Sequence, residues 1–122
     1  MSKTILIVDD SDSLREVVGI ALKNAGYEVL EGADGNEGLS QLDGKKIHLI
    51  ISDVNMPNMN GIEMVQKIKE MDAYKFTPII MLTTESGDDM KEQGRSAGVK
   101  AWMVKPFKPE QMLDAVSKLI VP

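Results

Sequence analysis

Four short apolar runs in this chain each stop at a side chain that could do chemistry. Ile5-Leu6-Ile7-Val8 stops at Asp9 and Asp10, and Leu49-Ile50-Ile51 stops just short of Asp53. Ile79-Ile80-Met81-Leu82 stops at Thr83, and Ala101-Trp102-Met103-Val104 stops at Lys105. Carboxylates brought together repel one another, so a proton or a cation must join them. A hard divalent ion is the natural solution, and Mg²⁺ takes one or two carboxylates while keeping several waters. The stretch after Asp53 is rich in turn formers, and Asn55 is placed to add a backbone carbonyl. Thr83 offers a hydroxyl and Lys105 a compact positive charge, which together suit the oxygens of a tetrahedral anion. Metal, hydroxyl, ammonium and a bare carboxylate make a site for phosphoryl transfer to that carboxylate. Each member also has a plainer role when taken alone. Asp9 and Asp10 could cap a helix, Thr83 could be an ordinary strand residue, and Lys105 a surface charge. Their joint occurrence at four strand ends carries the weight.

The elements that must gather these residues are legible from periodicity. Thr4 to Val8 reads as a strand buried on both faces, and the run leading to Asp53 as another. Pro78 to Thr83 is a third, its Pro tolerated at the start. Tyr27 to Glu31 alternates apolar with polar, which suits an edge, and Lys100 to Lys105 completes five strands. Between them lie helical stripes. The first is Leu14, Val17, Val18, Ala21, Leu22 and Ala25, opened by a Ser13–Glu16 capping box and stopped by Gly26. A weaker second helix opens at Asp34-Gly35, carries Leu39 and Leu42, and ends at Gly44. A third follows Asn60 with Met64, Val65, Ile68 and Met71. A fourth, about Gly87 to Ala97, is mostly polar. A fifth begins at Pro109 and carries Met112, Leu113, Val116, Leu119 and Ile120. Alternation at this spacing means right-handed βαβ units and a parallel sheet. With the most apolar strands at the centre the order is 2-1-3-4-5, a doubly wound, flavodoxin-like α/β fold with five helices. That order puts the ends of strands one, three, four and five around one crevice.

Composition narrows the field. The chain has 122 residues, 43% of them apolar, and a formal net charge of −5. That fits one domain over residues 1–122, with no second one, and disfavours a nucleic-acid partner. The absence of Cys excludes disulfides, Cys-based metal sites and thiol catalysis. The single His48 precedes a strand, where a surface or strand-edge role is expected. No apolar run approaches a membrane span, and the first residues lack a signal peptide's core, so a cytoplasmic protein with no membrane partner is expected. No Gly-rich phosphate loop follows strand one, which argues against a mononucleotide or flavin held by that turn.

The segments ILIVDDS, ISDVNMPNMNG, IIMLTTE and MVKPF together resemble the receiver domains of two-component response regulators along the whole chain. The likeness is nearest to stand-alone, chemotaxis CheY-like receivers without an output domain. The resemblance implies that Asp53 is the phosphoacceptor. It implies that Asp10 and Asp53 bind Mg²⁺ directly with the main-chain carbonyl of Asn55, that Asp9 helps through water, and that Thr83 and Lys105 contact the phosphoryl group. It further implies a monomeric switch, not an enzyme in the ordinary sense. A CheA-like sensor histidine kinase would load it, a phosphatase could unload it, and the flagellar motor switch or another output protein would read it. By the same resemblance, on activation the Thr83 hydroxyl would move toward the phosphoryl group and the ring at Trp102 would turn inward. Trp102 departs from the usual Tyr or Phe, and Thr84 stands where a smaller residue is common. Lys91, Arg95 and Trp102 would meet the partner. Two alternatives stay open. One is a receiver acting as relay or phosphate sink. The other is a haloacid-dehalogenase-type phosphohydrolase using Asp10, whose D-x-D start Asp10-Ser11-Asp12 imitates.

Overall fold

Residues with branched apolar side chains on both sides of the backbone need cover on both faces, and here they take the middle of the sheet. In the computed structural model, which describes residues 3–54, 56, 59–83, 98–105 and 107–120, five parallel strands stand in the order β2-β1-β3-β4-β5. They are β1 (Thr4–Val8), β2 (Glu28–Gly32), β3 (Leu49–Asp53), β4 (Ile79–Thr83) and β5 (Ala101–Val104). Every residue of β3 and β4 is buried, whereas β2 and β5 are only partly covered, as expected of edges. Among the described residues there are four helices: α1 (Asp12–Asn24), α2 (Gly35–Ser40), α3 (Gly61–Lys69) and α4 (Pro109–Leu119). The helix expected over about Gly87 to Ala97 lies outside the described residues.

Strand alternation splits the core into two layers. On one face Leu6, Val8, Ile50, Ile79 and Met81 pack with Ile62, Met64, Val65 and Ile68 of α3. On the other, Ile5, Ile7, Ile51, Ile80 and Leu82 pack with Val18 and Leu22 of α1 and Met112 and Val116 of α4.

Two helix boundaries differ from expectation. The cap of α1 is Ser11, not Ser13: its hydroxyl accepts the Leu14 N–H at 3.2 Å. The helix starts earlier because the Asp9 carboxylate takes the Ser11 N–H at 2.8 Å and turns the chain at once. Val17 consequently flanks the buried stripe and is 54% exposed. The helix α2 ends at Ser40, short of Gly44. Gly44 serves the following turn, where its φ of +103° is open to Gly and strained for other residues. The cap of α3 is Asn60 as expected, its Oδ1 accepting the Glu63 N–H at 2.8 Å.

Candidate functional site

Asp9 follows β1 directly and stays tied to the sheet, its N–H donating to the Gly32 carbonyl at 3.1 Å. Its carboxylate is fully buried. One oxygen accepts from Ser11; the other lies 3.0 Å from the Lys105 Nζ. Asp53 ends β3 and is 6% exposed. The turn beyond it is held by Val54 N–H to the Leu82 carbonyl at 3.1 Å and Gly61 N–H to the Val54 carbonyl at 2.8 Å. Gly61 is required there, because a Cβ would sit 2.1 Å from the Asp53 carbonyl oxygen. Thr83 ends β4, fully buried, and its carbonyl accepts the Lys105 N–H at 2.8 Å. That bond brings Lys105 over the crevice, where its ammonium also lies 3.5 Å from Asp53 Oδ2.

Asp9, Asp10 and Asp53 each offer an oxygen, and these lie within 4.8 Å of one another. Burial pushes the Asp53 carboxyl above the usual carboxylate range, and the Asp9 charge adds to the shift, while Lys105 opposes it. One ammonium beside three carboxylates leaves negative charge in excess. An oxygen-only donor set with surplus negative charge fits a hard divalent cation such as Mg²⁺.

The geometry therefore gathers Asp9, Asp10, Asp53 and Lys105, with Thr83 on the neighbouring strand end. Trp102 lies on β5 opposite Met81, and Val104 lies opposite Thr83. Thr83 and Trp102 thus belong to the same sheet face, with Trp102 partly buried against that layer of the core. Asn55, Thr84, Lys91 and Arg95 lie outside the described residues. The roles of Ser11 and Gly61 were missed by reasoning from sequence. The signal for Gly61 was its place at the end of a turn-rich stretch that must bring a helix back against a strand end.

The chain matches the response regulator receiver domain over residues 5–117. It is similar to chemotaxis protein CheY1 of Helicobacter pylori, at 37% identity over 95% of this chain and 95% of that protein. It is equally similar to the phosphate regulon transcriptional regulatory protein PhoB of Pseudomonas aeruginosa, at 37% identity over 98% of this chain and 52% of that protein. The chain thus spans about half the length of PhoB. The structure is similar to that of the Vibrio cholerae chemotaxis protein CheY4, with a TM-score of 0.94, 44% identity, and coverage of 98% of this chain and 100% of that one. The acid cluster, the lysine beside it, the strand order and these likenesses converge, and the chain belongs to the family of response regulator receiver domains of two-component signalling.

Proposed function

We propose that the chain is a phosphorylation-activated switch with Asp53 as its phosphoacceptor. One observation carries the reading: the Lys105 ammonium stands 3.0 Å from Asp9 and 3.5 Å from Asp53, where three acids converge. An Asp53 carboxylate oxygen attacks the phosphorus of a phosphohistidine on a sensor kinase. The P–N bond breaks, the imidazole nitrogen regains a proton from solvent, and an acyl phosphate forms on Asp53. Lys105 then turns its ammonium from the carboxylate to a phosphoryl oxygen, and the Thr83 hydroxyl donates to another. Asp10 and Asp53 would hold Mg²⁺ directly with the Asn55 carbonyl, and Asp9 would assist through water. When bound, Mg²⁺ supplies positive charge to offset that gathering on the phosphoryl oxygens.

As Thr83 leaves its resting place, room opens on the face it shares with Trp102, and the indole turns inward. Trp102, Lys91 and Arg95 would then be the residues that meet the output partner. Similarity to CheY1 and CheY4 across nearly the whole chain supports a chemotaxis role, and the switch is taken to act in the cytoplasm as a monomer. The partners are then a CheA-like histidine kinase, the flagellar motor switch and a phosphatase.

The test is incubation with Mg²⁺ and acetyl phosphate, followed by mass spectrometry of the trapped label. The label is expected on Asp53; a label on Asp10 would move the case to a phosphohydrolase. A pull-down with and without beryllofluoride reads the output. Capture of a motor switch protein only in its presence supports the chemotaxis role. Capture of a phosphotransfer protein alone makes the chain a relay.

A further inference from the structure

The end of the sheet farthest from Asp53 carries a second concave feature. There the segment before β3 and the segment before β4 border an open, solvent-facing cavity of about 450 Å³, lined among others by Lys45, Lys46, His48, Tyr74, Phe76 and Thr77. That volume lies within the range of small-molecule pockets.

Its walls are tied in place. The buried Tyr74 hydroxyl accepts the Gly44 N–H at 2.9 Å and donates to the Lys45 carbonyl at 2.7 Å, joining one wall to the other. The Lys69 ammonium donates to the carbonyls of Lys75 and Thr77, each at 2.9 Å, and so braces the second wall. A cavity held this way loses little freedom when it is filled.

Two features of the lining select an occupant. Phe76 is 86% exposed, the most exposed large apolar side chain described; the Lys75 ammonium lies over one face of its ring, 5.4 Å from the centroid, and the opposite face is the one offered for stacking. Beside it gathers positive charge, in a chain whose net charge is −5. Lys45 and Lys46 contribute ammonium groups, with Lys3 near His48. One acid, Asp72, is among the lining residues; it is exposed and weakly paired, 3.8 Å from Lys75, and the exposed Asp43 stands 3.7 Å from Lys45. His48 Nδ1 accepts the Thr4 N–H at 3.0 Å, so the neutral ring carries its proton on Nε2 as a donor. Several point charges suit the many oxygens of a phosphate better than a lone carboxylate.

We propose that this cavity binds a nucleoside phosphate, its base stacked on Phe76 and its phosphate held by Lys45, Lys46 and His48. The site is separate from the acid cluster, since β3 runs between them from Leu49 to Asp53.

The experiment is an NMR titration of the full chain with adenosine diphosphate in Mg²⁺-free buffer. His48 is the single histidine, so its ring signals are unambiguous. Adenosine diphosphate is expected to shift the His48 and Phe76 ring signals. It should also move the His48 titration to higher pH, because the anion offsets the charge of Lys3 and Lys46. Adenosine alone and pyrophosphate alone should bind more weakly than the joined molecule. Phe76→Ala should weaken binding roughly tenfold, the scale of one lost base-stacking contact. Lys45→Ala with Lys46→Ala should abolish the preference over adenosine. Phe76 is exposed and its replacement leaves the core intact, and circular dichroism checks this. No shift at millimolar adenosine diphosphate overturns the proposal, as does binding unchanged by either set of substitutions.

Discussion

Lys105 holds two acids in different ways. Asp9 is fully buried and depends on this ammonium, whereas Asp53 lies farther from it and keeps a raised pKa. Removing one partner of a buried pair leaves the other charged and uncompensated. Lys105→Ala is therefore expected to cost about 3 kcal/mol of stability in metal-free protein, by the usual cost of breaking such a pair. Saturating Mg²⁺ should return part of that loss, because a ligand of the folded state alone stabilises it. Urea denaturation with and without Mg²⁺ measures both. Beryllofluoride should no longer change the Trp102 emission of this variant; an unchanged response would remove Lys105 from the phosphoryl group.

At the scale of elements, the turn from β3 into α3 is the tightest joint in the site. A methyl at Gly61 meets the Asp53 backbone and, at 2.7 Å, the Met81 methyl. Gly61→Ala is expected to destabilise by about 2 kcal/mol, a typical overpacking cost. It should also slow phosphorylation of Asp53 more than loss of stability explains; acetyl phosphate labelling under conditions where the variant is fully folded separates the two. The strands and their order could be read in advance because apolar runs ending in Asp, Thr and Lys have no equivalent alternative register. The helix starts could not be read as well. Ser11 and Ser13 both satisfy the local rule for a cap, and the choice between them was made by Asp9, a residue whose own position depends on β1 being in the sheet. Tyr74 was equally opaque: its hydroxyl joins segments 29 and 30 residues apart, a pairing that no local pattern encodes.

Across the whole molecule, two titrating groups at opposite ends of β3 act on stability with opposite sign. Folding raises the Asp53 pKa above 3.8, the pH at which an ordinary aspartate is half ionised, so the folded chain holds the proton longer than the unfolded one and this group's contribution declines as pH rises through and beyond 3.8. His48 is shifted down from 6.5 by burial and then by Lys3 and Lys46. Its Nδ1 must also stay unprotonated to accept from Thr4. The unfolded chain therefore binds more protons just below 6.5, and stability rises as pH climbs toward that value. In metal-free protein, Asp53→Asn should remove the acidic-side decline and His48→Gln the rise near neutrality, both read from urea midpoints across pH. The completely covered central strands have a further consequence. Amide protons of Ile5 to Val8 and Leu49 to Ile51 should exchange with deuterium only when the entire chain opens, because these side chains are 0% exposed and lie in the middle of the ladder. Asp9 and Asp53 thus stand on the slowest-breathing part of the backbone, and cargo arriving there meets a rigid anvil rather than a hinge.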